Sequence, residues 1–231
     1  SVDAALSSTL TMDGVDDIDG ADGNDTVQFT EAGTYDLSAL TNITNVESFT
    51  GSGSGSFELL GTSSGEHLAG GTASNRFLGL DGADTFNLNT GIDVVAYSAL
   101  TESQIPSGST LTFQADTISG FEIGTDFIQL PAMPAGDLTI DIEIPIAFIS
   151  TVAATLAASN DLSAAFNGAN DDVGYINIAN GNAAGTYLIV QGTQTTDAFD
   201  PSTDLIVKLE AVGNASGLTV ASTVDDLFIV S

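Results

Sequence analysis

The sequence predicts a mainly β protein: a right-handed parallel β-roll, or β-solenoid, built from nonapeptide repeats and followed by a β-rich capping region with one helix. Three observations favour this fold class. Glycine, acidic and apolar residues recur with a nine-residue period, short β-rich runs alternate with Asn, Ser and Gly turns, and a single segment has helical spacing. We place the roll in residues 1–115 and the capping region in residues 116–231.

Two blocks define the repeat. Residues 20–28 read GADGNDTVQ and residues 79–87 read GLDGADTFN, so both have Gly at positions one and four, Asp at three and six, and an apolar residue at eight. The blocks at 11–19 and 88–96 keep the fourth Gly and the sixth Asp. The blocks at 61–69 and 70–78 lack the fourth Gly and carry Glu66 and Asn75 at position six.

Each repeat predicts a tight glycine turn followed by a very short strand, because Gly permits positive φ and the apolar residue points to the core. The predicted core residues share position eight and are Ile18, Val27, Leu68, Phe77, Phe86 and Val95. Since two repeats make one coil of a roll, turns two repeats apart stack on one edge. This spacing predicts that Asp84 lies over Glu66 and that Asp93 lies over Asn75.

The charge balance narrows the possible partners. The chain has 31 acidic residues against only Arg76 and Lys208, a formal net charge of -29. Nucleic acid and anionic membrane surfaces are excluded as partners, since both need clustered cationic side chains. Membrane insertion is not expected either, because no apolar run has the length of a membrane-spanning helix. Charge repulsion destabilises a compact chain unless a cation binds the folded form.

The ligand inventory indicates which cation. There is no Cys and only His67, so thiolate sites and the usual zinc or copper sites are excluded. Calcium takes six to eight oxygen ligands from carboxylates and carbonyls, which stacked acidic Gly turns supply. We predict Ca²⁺ ligation by Asp25, Asp84 and Asp93 first. The further candidates in the repeat turns are Asp16, Gly20, Asp22, Gly23, Glu66, Asn75, Gly79, Asp81, Gly82 and Gly91.

An alternative role exists for each of these acids. An isolated Gly-x-Asp is more often a solvated loop carboxylate than a metal ligand, and Asp13, Asp22 and Asp81 are also suited to stabilising turns. The shared register of the repeats favours ligation for the acids at position six.

The repeats resemble those of the RTX proteins, whose G-G-x-G-x-D-x-U-x units build a calcium-binding parallel β-roll. The blocks at 20–28 and 79–87 depart from that pattern only at the second Gly, whereas Ser64, Glu66, Ala73 and Asn75 are larger departures. The resemblance implies calcium-dependent folding outside the cell.

The segment at 34–60 predicts further coils of irregular length, in which Asn45 and Glu47 are ladder or turn residues without a ligand role. Its DLS and ITNVE runs loosely resemble bacterial surface-layer proteins and adhesins. After the roll, DTISGFEIGTDFIQLP at 116–131 predicts a capping hairpin, with a calcium site at Asp116 and Asp126 as a less favoured alternative. Beyond it we predict a helix at 151–166 and strands at 175–178, 186–190 and 204–210, with an acidic turn at 197–204.

The last residues, VDDLFIVS, resemble the uncleaved C-terminal signals of type I secretion substrates, and an ordinary last strand is a compatible alternative. Together the resemblances imply a secreted, calcium-dependent structural protein of the bacterial cell surface, as a surface-layer (S-layer), fibre or adhesin component. Its expected partners are calcium, the type I secretion machinery and further copies of itself in a homo-oligomer or self-assembling array.

The main alternative is a C-terminal secretion and folding module of a secreted protease or lipase. We do not expect an enzyme in these residues, because GxSxG and HExxH motifs are absent and a single His leaves few candidate bases. A carbohydrate-binding β domain is disfavoured by the absence of Trp and the four Tyr residues.

Overall fold

A computed structural model describes the backbone of residues 4–6, 18–39, 43–104, 115–131, 140–146, 173–178, 185–190, 203–210, 219–222 and 227–230. Asp13 and Asp16, the predicted helix at 151–166 and most of the acidic turn at 197–204 lie outside these residues. The predicted metal ligands from Gly20 onward lie within the described residues.

The described chain consists mainly of short strands. Their bounds are β1 Ala4–Leu6, β2 Ile18–Asp19, β3 Thr26–Phe29, β4 Gly33–Asp36, β5 Ile43–Thr44, β6 Ser48–Gly51, β7 Phe57–Leu60, β8 His67–Ala69, β9 Arg76–Leu78, β10 Thr85–Asn87, β11 Val94–Ala96, β12 Asp116–Ser119, β13 Phe127–Leu130, β14 Ile140–Ile146, β15 Val173–Ile178, β16 Gly185–Val190, β17 Leu205–Glu210, β18 Thr219–Ser222 and β19 Leu227–Val230. Two 3₁₀ turns, Leu37–Ala39 and Leu100–Glu102, interrupt them within the described part.

The strands form two large sheets. In the described residues the first sheet has the order β1-β3-β6-β8-β10-β12-β17-β16-β15-β14, and the second has the order β18-β19-β13-β11-β9-β7-β4. From β6 to β13, consecutive strands alternate between the two sheets, and each pairs in parallel with the strand two places away. The prediction of a mainly β chain with parallel pairing is confirmed.

The hydrophobic core contains the apolar residues at position eight of the repeats. Val27, Leu68, Phe77, Phe86 and Val95 are all buried, as predicted, and Ile18 is half-buried against the same cluster. In β9 and β10 the two neighbouring residues are more exposed, so each of these strands buries only its central side chain. One apolar residue per repeat is therefore enough to build a continuous core.

The predicted hairpin at 116–131 is wrong. β12 pairs in parallel with β10 and β17 in the first sheet, whereas β13 pairs in parallel with β11 and antiparallel with β19 in the second. The Gly-containing turn between them crosses from one sheet to the other, as the turns of the preceding repeats do. Ile118 and Ile128 are fully buried and extend the core.

The C-terminal strands extend both sheets. The strands predicted at 175–178, 186–190 and 204–210 are confirmed within β15, β16 and β17, and the last strand is confirmed as β19. β17, β16 and β15 pair antiparallel to one another and join the repeats through β12. Both sheets thus continue across residues 115 and 116, and the division into two domains stays a prediction. None of the described segments is a helix long and apolar enough to span a bilayer.

In the repeats at 20–28 and 79–87, the residue that stands in place of the second Gly adopts the left-handed backbone. Ala21 has a φ of 65° and Leu80 has a φ of 66°. An L residue in this region costs about 1–2 kcal/mol, so position two of these two repeats has a conformation that Gly would adopt without strain. In the first of these turns the Ala21 N–H donates to Asp19 Oδ1 at 3.0 Å, which holds the strained residue in place.

We expect Ala21→Gly to raise the free energy of unfolding by about 0.5–1 kcal/mol, since relief of the left-handed strain exceeds the entropy that Gly adds to the unfolded chain. Ala21 is exposed, so the change removes almost no packing. Chemical denaturation of the two proteins measures the difference. Ala32→Gly, at an exposed residue without a positive φ, is the control and should be destabilising.

Candidate metal centre

The residues at position six lie in two rows, one at each edge of the paired sheets. The first ladder consists of the acids that precede strands of the first sheet, which are Asp25, Glu47, Glu66, Asp84 and Asp116. The second ladder consists of Asn75, Asp93 and Asp126, which precede strands of the second sheet. In both ladders a side-chain oxygen accepts a hydrogen bond from a main-chain N–H in a neighbouring turn.

In the first ladder, Glu66 N–H donates to Asp84 Oδ1 at 2.8 Å, and Asp84 N–H donates to Asp116 Oδ1 at 2.8 Å. Nearer the start of the chain, Asp25 N–H donates to Glu47 Oε2 at 2.9 Å. Each bond satisfies a buried or half-buried N–H that begins a strand and has no partner in its own turn. The predicted stacking of Asp84 and Glu66 is confirmed.

The second ladder has the same chemistry. Phe57 N–H donates to Asn75 Oδ1 at 3.1 Å, Asn75 N–H donates to Asp93 Oδ1 at 2.7 Å, and Asp93 N–H donates to Asp126 Oδ1 at 2.9 Å. The predicted stacking of Asp93 and Asn75 is confirmed. The Asn75 Nδ2–H also donates a hydrogen bond to the Gly71 carbonyl, so an amide at this position stabilises its own turn as well.

Sequence reasoning missed Glu47 as a partner for Asp25 and placed Asp116 and Asp126 in a hairpin. The sequence does contain a pattern that marks Asp116 and Asp126 as ladder residues. Asp116 is followed by Thr-Ile and Asp126 by Phe-Ile, as Asp84 is followed by Thr-Phe. Gly124 also lies two residues before Asp126, as Gly82 does before Asp84. These turns therefore share one pattern, an acid followed two residues later by a buried apolar residue.

Two Glu side chains at position six fold back into their own turns. Glu66 Oε2 accepts the Thr62 N–H at 3.0 Å, and its other oxygen bonds to the Thr62 hydroxyl. Glu102 repeats this arrangement with the N–H of Ser98 at 2.8 Å and with the Ser98 hydroxyl. These two Glu residues therefore cap the turns to which they belong, whereas the Oδ1 atoms of Asp84 and Asp93 accept N–H groups from neighbouring turns.

The three acids that the sequence ranks first as ligands share an unusual feature. Asp25, Asp84 and Asp93 are 6%, 1% and 1% exposed, and the Oδ2 atom of each has no hydrogen-bond partner among the described residues. An ionised carboxylate removed from water without a partner is strongly unfavourable. A cation at the second oxygen would supply each of these carboxyl groups with the missing partner.

In two of these turns, a glycine at position one makes room for the carboxyl group of Asp25 or Asp84. A Cβ at Gly79 would lie 2.2 Å from Asp84 Oδ2, and a Cβ at Gly20 would lie 2.7 Å from Asp25 Cβ. Gly23, Gly82 and Gly91 have positive φ, in the turns that precede the acids. The acids at position three differ, because Asp22 and Asp81 are exposed.

Burial controls the protonation of the ladders. Burial, assisted by the charge of Asp116, raises the pKa of Asp84 to about 9 from an ordinary value of 3.8. Burial likewise raises the pKa of Asp93, and the negative charges of Asp126 and Glu122 raise it further. Without a cation, Asp84 retains its proton at neutral pH.

We expect the metal-free protein to be less stable at about pH 8 than at about pH 5. Between the ordinary pKa of 3.8 and the folded pKa of about 9, Asp84 holds a proton in the folded state that it lacks when unfolded. The free energy of unfolding therefore falls as pH rises through this window. Denaturant midpoints in a chelator measure the slope, and Asp84→Asn should flatten it. A midpoint that rises from pH 5 to pH 8 would contradict the assignment.

In the described ranges, no three His, Asp or Glu side chains are grouped closely enough to hold a metal ion by themselves. A calcium site in these turns therefore requires main-chain carbonyls as well as carboxylates, which is common for this ion. No protein-family model matches this chain, and no curated protein matches it.

Proposed function

We propose that the chain is a calcium-dependent structural β-roll of a secreted bacterial surface protein. The observation that carries the proposal is the set of buried carboxyl groups at position six in the two ladders, of which Asp25, Asp84 and Asp93 each have one oxygen without a partner among the described residues. Calcium at those oxygens would supply the missing interaction and reduce the repulsion within a chain of net charge -29.

The proposed roll is right-handed and has two repeats in each coil. Two features support it: consecutive strands alternate between the two sheets, and Thr85 pairs with His67, 18 residues earlier, in a parallel register. Val94 pairs with Arg76 at the same spacing in the other sheet. In nearly all proteins the crossover connection between parallel strands of one sheet is right-handed, so we propose a right-handed roll.

Calcium ligation is proposed for the carboxyl groups of Asp25, Asp84 and Asp93 together with carbonyls of the Gly turns. The ladder bonds support this role for Asp84 and Asp93, because the Oδ1 atom of each accepts a main-chain N–H, which fixes the orientation of the carboxyl group. A fixed carboxylate loses little side-chain entropy when it binds an ion. Calcium would compete with the proton that Asp84 otherwise retains.

Surface location and secretion follow from the same coupling. Calcium sites of extracellular modules have dissociation constants of roughly 0.1–1 mM, far above cytosolic calcium, so the repeats would stay unfolded inside the cell and fold outside. This suits export in an unfolded state by a type I system, and it suits a surface-layer, fibre or adhesin component that assembles with copies of itself. A folding module of a secreted protease or lipase would use the same switch without self-assembly.

Circular dichroism and thermal melting with calcium and with a chelator test the proposal. We expect calcium to raise the melting temperature and the β signal, and magnesium at equal concentration to have a much smaller effect. Asp93→Asn should weaken the calcium response, whereas Asp36→Asn, an exposed acid that accepts a bond from Ser38, should leave it unchanged. Identical spectra and melting curves in calcium and in chelator would refute calcium-dependent folding. Calcium-triggered arrays in electron microscopy distinguish the structural protein from the enzyme-borne module.

A further inference from the structure

The turn after β11 breaks the glycine pattern. Tyr97 occupies position one, where the two preceding turns at this edge have Gly61 and Gly79, and Glu102 occupies position six. Tyr97 is 4% exposed and Glu102 is 7% exposed, so both side chains are buried at the edge that carries the first ladder. A large aromatic residue therefore lies where the other turns leave space for a carboxyl group.

Three buried oxygen atoms of this region lack hydrogen-bond partners within the described chain: Asp84 Oδ2, Asp116 Oδ2 and the Tyr97 hydroxyl. Asp84 and Asp116 are only 1% and 0% exposed. The Tyr97 hydroxyl interacts with the Asp116 carboxyl group, and electrostatically with Asp84 and Glu102 as well, but its contact with Asp116 does not have full hydrogen-bond geometry. A buried Tyr hydroxyl normally has a hydrogen-bond partner, so its lack of one beside two carboxyl groups requires an explanation.

The main chain fixes the orientation of both carboxyl groups. Asp84 Oδ1 accepts the N–H of Glu66, and Asp116 Oδ1 accepts the N–H of Asp84. At the end of this ladder Asp116 N–H donates to Ser103 Oγ at 2.8 Å, and Ser103 Oγ donates to the Ile206 carbonyl at 2.6 Å. The unpartnered oxygens are therefore held rigidly at the junction between the repeats and β17.

We propose that Asp84 Oδ2, Asp116 Oδ2 and the Tyr97 hydroxyl bind one calcium ion that fastens the repeats to the C-terminal strands. The inference rests on the proposed calcium dependence and adds two ligands from outside the repeats, because Asp84 belongs to the repeat at 79–87 whereas Tyr97 and Asp116 follow the repeats. Two carboxylates neutralise the ion and a neutral phenol oxygen adds a third ligand, while carbonyls or water complete the six to eight oxygens. Glu102 adds negative potential nearby.

Terbium luminescence tests the site directly, because Tb³⁺ replaces calcium and emits when a nearby aromatic residue transfers energy to it. The chain has no Trp and four Tyr residues, so emission reports a lanthanide next to a Tyr. We expect Tyr97→Phe to lower the sensitised emission at least about tenfold. Tyr35→Phe is the matched control and should leave the emission intact, since that hydroxyl donates to the Glu31 carbonyl.

A second pair of variants measures the affinity. Asp116→Asn keeps an oxygen for the Asp84 N–H but loses the charge, and we expect calcium to bind this site about tenfold more weakly. Asp126→Asn is the control, because both oxygens of Asp126 already accept main-chain N–H groups, from Asp93 and Glu122. In a chelator Tyr97→Phe and Asp116→Asn should be as stable as the wild type or more so, which a purely structural role would not produce.

The outcomes separate this site from the proposed function. If calcium stabilises the wild type but Tyr97→Phe retains full terbium emission and Asp116→Asn retains full affinity, the site at Tyr97 is wrong and calcium-dependent folding stands. If calcium neither binds nor stabilises the wild type, both proposals fail. Lower stability of both variants in the chelator, with unchanged affinity, assigns these residues to packing alone and overturns the site.

Discussion

Phe86→Ala is expected to lower the free energy of unfolding by about 3–5 kcal/mol, the usual cost of truncating a buried Phe. Phe86 is completely buried at position eight of its repeat. In the first sheet it lies between Leu68 and Ile118, and its ring centroid is 6.0 Å from that of Phe77. Its removal leaves a cavity that the short strands on either side, β8 and β12, cannot fill without breaking their pairing.

Denaturation at a fixed calcium concentration measures this loss, which keeps the contribution of ion binding the same in both proteins. Ile92→Ala is the matched control, because Ile92 is 53% exposed in the turn that precedes Asp93. We expect the control to change the free energy of unfolding by less than about 0.5 kcal/mol. Equal losses in the two variants would mean that position eight does not form the core.

Much of the repeat region could be predicted from the sequence, because each short strand buries the side chain at position eight and the nine-residue period identifies that position. Phe77 and Val95 were found in this way. The hairpin failed for a physical reason: Gly124 and Thr125 form a turn in either arrangement. Whether the next strand returns to its neighbour or crosses to the other sheet depends on pairing partners that are distant in sequence.

The contacts within the two ladders could likewise be predicted only in part from the sequence. Where the spacing is two repeats, as from Glu66 to Asp84 or from Asn75 to Asp93, the period predicts the contact. The links from Asp25 to Glu47 and from Asp84 to Asp116 span 22 and 32 residues, since irregular segments intervene. Local sequence does not encode the length at which such a segment rejoins the sheet, so these partners were found only in three dimensions.

Gly79→Ala is expected to destabilise the protein by about 1–3 kcal/mol and to weaken its calcium response as well. A Cβ at this position would lie 2.2 Å from Asp84 Oδ2 and 2.9 Å from Phe86 Cζ. Gly79 does not have a positive φ, so the cost is steric rather than conformational. To relieve the overlap, the carboxyl group of Asp84 must move, which stretches its bond from the Glu66 N–H.

Gly33→Ala provides the control, because the nearest atom to its Cβ would be 3.6 Å away in Tyr35, an ordinary contact. Denaturation and calcium titration of both variants distinguish the two consequences of the overlap. A loss of stability without a change in calcium response would mean that Gly79 serves packing alone. If both fall together in Gly79→Ala and neither falls in Gly33→Ala, the space at Gly79 is what allows the carboxyl group of Asp84 to be buried in its turn. Gly79 would then help to determine whether an ion can bind there, because Asp84 could not be buried without the space beside it.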